Sequence, residues 1–269
     1  DASGNVSTLS DLSGNARDLT QATSTKRPHI VDEGGLSWLE FNGHYYLQSL
    51  ADVTAYVPRS QWTMLAEVEP TAIPNRDQTN AAWATNGIAG ALSSPDVGIS
   101  LRNNAGAPEA GAWQVGSDGG FDPAQAFSAG PEIAQWSVVA GRFVHAGSVL
   151  VQVDDGAPVS AGTTVSDSTA SGPFSLGRIY TPGTGFLTGR VGRVLTYDRA
   201  LSDAETTQDI DYLKTPWREI ELAESIVADC TIGSDETRAA IELVDVLRRF
   251  NDRGSDTCAN EDQCLEPAC

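Results

Sequence analysis

Two carboxylates that share a strand face are this chain's nearest approach to catalytic spacing. They are Glu67 and Glu69 in the run LAEVEP (Leu65 to Pro70), where residues i and i+2 of a strand point the same way. Cleaving a glycosidic bond takes two carboxyl groups roughly 5–9 Å apart across a cleft, one as acid and one as nucleophile or base. Glu67 and Glu69 lack a third acid, and their strand alternates like an ordinary sheet member. Elsewhere there is no Gly-x-Ser-x-Gly elbow, no His-Glu-x-x-His, no phosphate loop and no dinucleotide fingerprint. The residues point away from an enzyme.

Recognition chemistry is better represented. Sugar rings present apolar C–H faces that lie on aromatic side chains, while amides and charged groups bond the surrounding hydroxyls. Of the six tryptophans, Trp38, Trp62 and Trp136 begin or sit within apolar strands and are assigned to the core. Trp83 and Trp113 have small and polar neighbours (Ala-Ala-Trp-Ala-Thr-Asn and Gly-Ala-Trp-Gln) and are the candidates for an exposed stacking platform, against a competing assignment to the core. Arg102, Asn103 and Asn104 lie in the turn between those segments and would supply polar contacts. Calcium takes oxygen ligands, and the turn Asp154-Asp155-Gly156 offers two carboxylates for it. The same turn needs no metal to form.

The four cysteines, Cys230, Cys258, Cys264 and Cys269, all fall late in the chain. An even number in a small appendix reads as one or two disulfides formed in an oxidising compartment, with three pairings open. Zinc is the alternative, but no tight Cys-x-x-Cys is present and His29, His44 and His145 lie far off in sequence.

With 17 Lys+Arg against 36 Asp+Glu, the 269-residue chain carries a formal charge of −19. That balance repels phosphate backbones and anionic lipid heads, so nucleic acid and membrane-surface partners are disfavoured. Its simplest role is a solubilising surface. No run approaches the ~18 apolar residues of a membrane helix, and no signal peptide is visible. The chain begins at Asp1, which reads as a processed product or a fragment.

The elements that would position these groups are mostly strands. Asn42-Gly43 between Leu36–Phe41 and Tyr45–Leu47 predicts a tight hairpin turn. Trp62 to Glu69 alternates with period two, and Ala81–Ile88, Val97–Leu101, Trp113–Val115, Trp136–Val144 and Val149–Val153 are further short strands. Ser117 to Pro131, rich in Gly and Pro, reads as a long loop lying on a sheet. From Gly185 to Trp217 an apolar-alternating strand runs into a helix opened by Ser202, with Glu205 completing a Ser-x-x-Glu capping box. Beyond Pro216 the pattern turns helical, with Ala240, Leu243, Val244, Leu247 and Phe250 forming an amphipathic stripe. That stripe reads as a docking face or an oligomerisation handle.

Six runs in order resemble the laminin-G-like jelly rolls of the concanavalin A-like lectin/glucanase superfamily. They are DLSGNARDLTQ (Asp11–Gln21), LEFNGHYYL (Leu39–Leu47), WSVVAGRF (Trp136–Phe143), VLVQVDDGAPV (Val149–Val159), FSLGRI (Phe174–Ile179) and the closing block from Gly185. The resemblance implies a mostly β, two-sheet antiparallel jelly-roll sandwich with a seam helix over residues 1–215. Residues 216–269 remain as a small α-helical, cysteine-containing extension. By analogy, Asn42 and Asp198 would be ligands of a structural calcium near the sheet seam. Relatives carry an apolar strand before a tripeptide like Asp1-Ala2-Ser3. Its lack here implies either a removed upstream segment or an edge filled by a neighbouring subunit.

The glycan-cleaving branch of that superfamily carries Glu-x-Asp-x-x-Glu on one strand, which this chain lacks. The lyase branch wants His and Tyr near Arg or Gln on inner strands, whereas His44-Tyr45-Tyr46 sits at a hairpin and His145 at a turn. The function expected is therefore a non-catalytic recognition or adhesion module on the outside of a cell or a virion, with a glycan or cell-surface polysaccharide as ligand. The alternative is a structural or assembly subunit, such as a virion decoration protein or surface-fibre component, that contacts copies of itself or a larger assembly; a weaker one is a divergent glycoside hydrolase or polysaccharide lyase.

Overall fold

The computed structural model describes residues 4–33, 36–72, 85–91, 97–104, 107–117, 125–129, 133–145, 147–162, 171–179 and 185–215. In chain order the strands begin with β1 (Thr8–Leu9), β2 (Leu19–Thr20), β3 (His29–Glu33), β4 (Leu36–Asn42) and β5 (Leu47–Asp52). They continue with β6 (Gln61–Pro70), β7 (Thr85–Ala91), β8 (Val97–Asn104), β9 (Ala107–Ser117) and β10 (Gln125–Ala129). The last are β11 (Ser137–Val144), β12 (Ser148–Val153), β13 (Val159–Gly162), β14 (Pro173–Leu176) and β15 (Thr188–Tyr197), and helix α1 follows over residues 203–215. The contacts divide the chain into two units, Asp1–Val31 with Ser37–Lys214, and Asp32–Leu36 with Thr215–Cys269. The first holds the sandwich described below. Most of the second, with all four cysteines and the amphipathic stripe, lies outside the described residues.

Two antiparallel sheets form, one ordered β1-β2-β5-β14-β7-β8-β9-β10 and the other β13-β12-β11-β6-β15-β4-β3. The period-two pattern of β6 sets the layering. Trp62, Met64, Ala66 and Val68 enter the core between the sheets, where they meet Phe41, Ile99, Trp113, Phe143 and Leu176. Fully burying one such side chain is worth about 1.5–3 kcal/mol, so this single strand anchors much of the sandwich. Thr63, Leu65 and Glu67 take the alternate positions on the same strand.

That second face of the β13–β3 sheet is covered by α1. Leu65, Val138 and Ala140 pack with Leu201, Ile210 and Leu213 in a second, smaller core. The capping box forms as its sequence requires. Ser202 Oγ accepts from Glu205 N–H at 3.3 Å, and Glu205 Oε2 accepts from Ser202 N–H at 2.8 Å. Thr63 fastens the entry to the helix, because its hydroxyl donates to Arg199 O at 2.9 Å and accepts from Leu201 N–H at 2.8 Å. Arg142 adds a bond to Leu201 O at 3.1 Å and an ion pair to Asp203 at 2.6 Å.

Several expectations change. Gly43 does turn, at φ +85, but β4 and β5 belong to different sheets, so the turn carries the chain across the sandwich instead of closing a hairpin. Its direction is fixed by Gly43 N–H bonding Leu187 O and His44 N–H bonding Asn42 Oδ1. Within the Gly- and Pro-rich run expected as a loop, β10 pairs with β9 from Gln125↔Gly116 to Ala129↔Ala112. Trp136 is half-buried rather than a core residue, and its ring stacks on that of Trp38 at 4.2 Å. At the start of β3, Asn5 bridges His29, Val6 N–H bonds Pro28 O and Ile30 N–H bonds Gly4 O.

Candidate functional site: an aromatic and arginine rim

Three chain segments meet at one end of the sandwich: residues 42–46 between β4 and β5, residues 177–179 after β14, and residues 185–187 before β15. Backbone bonds lock them together. Gly43 N–H donates to Leu187 O at 2.8 Å, Leu187 N–H to Gly177 O at 2.9 Å, and Gly177 N–H to Ile88 O at 2.8 Å. Ile179 and Gly87 N–H groups both reach Gly185 O, at 3.2 and 2.9 Å. Gly177 sits at φ +79, and a Cβ there would overlap the ring of Phe41, so this crossing requires glycine.

This scaffold gathers two aromatic rings around one guanidinium. Arg178 Cζ lies 4.9 Å from the ring centroids of both Tyr46 and Phe186, which are 6.0 Å from each other. His44 stands 6.1 Å from Phe186, and Lys26 Nζ 5.9 Å from Tyr46. Lys26 and His44 are exposed, while Tyr46, Phe186 and Arg178 are half-buried. Cation–π attraction of this kind strengthens with desolvation, from about 0.5 to about 2 kcal/mol. Burial lowers the Arg178 pKa from its ordinary value, opposed by the Tyr46 phenol, yet an arginine stays charged across the physiological range. Arg178 Nε is buried and has no hydrogen-bond partner. The rim therefore offers apolar ring surface and positive charge together.

The residues singled out from sequence fare unevenly. Trp113 is a correction: it is fully buried between the sheets. Its small neighbours mark the opposite side of β9, while positions 113 and 115 share the inward face. Arg102, Asn103 and Asn104 belong to β8 instead of a turn, with Arg102 opposite Ala112 and Thr85. Trp83 lies outside the described residues, as do Cys230, Cys258, Cys264 and Cys269.

The calcium set does not assemble as expected. Asn42 is opposite Thr188 at the start of β15, whereas Asp198 follows Tyr197 at its other end. Some ten residues of strand put them about 30 Å apart, too far to share an ion. Asp155 is paired with Lys214 at 2.7 Å, and Asp154 Oδ1 accepts from Val138 N–H at 2.9 Å. Burial raises the Asp154 carboxyl above its ordinary value, against that bond and Lys214. Among the described residues no three His, Cys, Asp or Glu side chains come together as a metal set.

Glu67 and Glu69 are both engaged in ion pairs. Glu67 is fully buried with Arg193 at 3.1 Å, and Glu69 stands 3.5 Å from Arg190. The rim residues Tyr46, Arg178 and Phe186 fall inside runs read only as marks of the fold. The available signal was a turn-forming glycine close to each: Gly43, Gly177 and Gly185, all at positive φ.

Comparison with solved structures finds similarity to several sugar-processing and binding proteins. Domain 4 of the extracellular arabinanase from Geobacillus stearothermophilus, solved in complex with arabinotriose, is 20% identical, with a TM-score of 0.47 over 68% of this chain and 80% of that one. An arabinofuranosidase complexed with arabinofuranosyl-alpha-1,2-xylobiose is 15% identical, with a TM-score of 0.53 over 78% of this chain and 50% of that one. The binding domain of Paraclostridial Mosquitocidal Protein 1 is 12% identical, with a TM-score of 0.52 over 79% and 53%. This chain thus spans about half the length of the latter two, and at these identities the likeness is one of fold. A comparison with curated protein sequences gives no match. Residues 41–206 match the family model of the concanavalin A-like lectin/glucanases superfamily. The chain belongs to that superfamily, as a laminin-G-like domain.

Proposed function

We propose that this domain is a non-catalytic carbohydrate-recognition module that binds a glycan at the Tyr46–Arg178–Phe186 rim. The observation that carries the reading is the two rings packed about Arg178, held on a backbone cross-linked between the β4–β5 and β14–β15 connections. Such preorganisation removes part of the ordering cost of binding. Aromatic surface beside N–H donors suits a sugar's alternating C–H faces and hydroxyls. Membership of a superfamily that includes lectins supports the same reading, as does the engagement of Glu67 and Glu69 in ion pairs. A soluble sugar or a surface polysaccharide outside the cell fits a chain this acidic. Among the described residues no helix is long and apolar enough to cross a membrane.

A glycan-array screen, repeated with chelator, tests it. Selective binding that Phe186→Ala weakens by about tenfold, ~1.4 kcal/mol, with the melting transition retained, is the expected result. Chelator sensitivity would add calcium to the site. A blank on folded protein would overturn the reading in favour of an assembly subunit. Release of reducing ends from a bound glycan would overturn its non-catalytic part.

A further inference from the structure

The charge pattern narrows the ligand class. Acidic side chains outnumber basic ones 36 to 17, and cations across the β13–β3 sheet have carboxylate partners. Arg142 pairs with Asp203, Arg190 with Glu69, Arg193 with Glu67, Arg199 with Glu205 and Lys214 with Asp155. Arg178 differs. It is held by the two rings and hydrogen-bonded by the Tyr46 phenol, and no carboxylate of the described residues pairs with it. Lys26, beside the same Tyr46 ring, has no carboxylate partner among the described residues either. A half-buried guanidinium normally acquires a carboxylate, because the pair offsets the desolvation of both. In a chain with so many acids, the lack of a match among the described residues leaves this charge to a group from outside.

We infer that the rim binds an acidic sugar, with Arg178 taking the carboxylate of a uronic or sialic acid residue and the Tyr46 and Phe186 rings taking its apolar face. This rests on the carbohydrate-recognition reading above and adds the charge of the ligand to it. The guanidinium fork matches a carboxylate in plane, which an ammonium cannot do. Lys26 supplies longer-range attraction that salt screens.

The test compares galacturonate, glucuronate and sialylated oligosaccharides with their methyl esters, which keep the ring and lose the charge, by titration calorimetry on the whole chain. The free acids should bind about tenfold more tightly than the esters, the margin between charged and neutral hydrogen bonds. Affinity for the acids should fall with added salt. Arg178→Gln should remove the acid preference, so that acid and ester bind alike, and Arg178→Lys should restore only part of it. Should the Arg178 variants unfold, Lys26→Gln and the acid–ester comparison on the unaltered protein still decide. Equal affinity for acid and ester would overturn the acidic-ligand inference and leave glycan recognition standing. No binding to any sugar by folded protein would overturn both.

Discussion

Arg193 holds the fully buried carboxylate of Glu67 through its backbone N–H at 3.2 Å and its Nε at 3.1 Å, and with Nη2 it donates to Leu213 O of α1 at 2.6 Å. One side chain thus neutralises a buried acid and ties the helix to β15. Its guanidinium also lies 4.9 Å from the Tyr212 ring. Removing one member of a buried pair strands the other, at a cost of about 3–5 kcal/mol. Arg193→Ala is expected to lose that much in denaturant unfolding at neutral pH, and less in acid, where Glu67 can protonate. A loss under about 1 kcal/mol, the size of a surface pair, would show that the helix does not depend on this contact.

Glu67 also sets a pH trend. Burial pushes its carboxyl above the ordinary value of 4.5, with Arg193 opposing. A raised folded pKa means that the folded state keeps the proton to higher pH than the unfolded chain does. The group's contribution is therefore greatest below the unfolded value and declines as pH rises through the window above it. Glu67→Gln deletes that decline. The difference in Tm, variant minus wild type, should grow more positive from about pH 4 to about pH 7. A constant or shrinking difference would contradict it.

The helix cap behaves in the opposite sense. Arg199, then the N–H and hydroxyl of Ser202, draw the Glu205 pKa from 4.5 down to about 2. Its stabilising effect is present above the unfolded value and is lost as pH falls through about 2. Ser202→Ala should cost about 1 kcal/mol in unfolding experiments. Glu205→Gln should flatten the acid limb of the Tm profile between about 4.5 and about 2, and an unchanged limb would mean that the capping box does not hold in solution.

Trp113 provides a contrast with the rim. Its indole is fully enclosed between the sheets, so Trp113→Ala should cost about 3–5 kcal/mol. Sugar affinity of the fraction that still folds should be unchanged. A selective loss of binding at full stability would reinstate it as a contact residue.

What the sequence reveals and what it hides follow from the range of each signal. Local signals read well: Ser202 and Glu205 lie three apart and form their box, Trp62 to Glu69 alternates into a strand, and Gly43 takes positive φ. Trp113 misleads because successive strand residues alternate faces, so the size of its sequence neighbours says nothing of its own surroundings. Asn42-Gly43 specifies a turn but not which sheet receives the next strand. The rim is hidden for a related reason. Tyr46 stands on the β4–β5 connection and Arg178 and Phe186 on the β14–β15 connection, and no periodicity reports which connections meet.

β15 lies between β4 and β6 in the finished sheet, yet 136 residues separate Thr63 from its partner Arg199. During synthesis, β4 and β6 emerge long before the strand that joins them. Until it arrives, β6 shows an unpaired backbone edge and apolar residues on both faces, the features that invite pairing with another chain. Contacts this distant also slow folding, because loop closure precedes their reward. The last strand of the sandwich is its keystone, so a nascent chain stalled before Thr188 is a hazard to its neighbours. The clasp of Thr63 on Arg199 and Leu201 marks the moment at which that hazard ends.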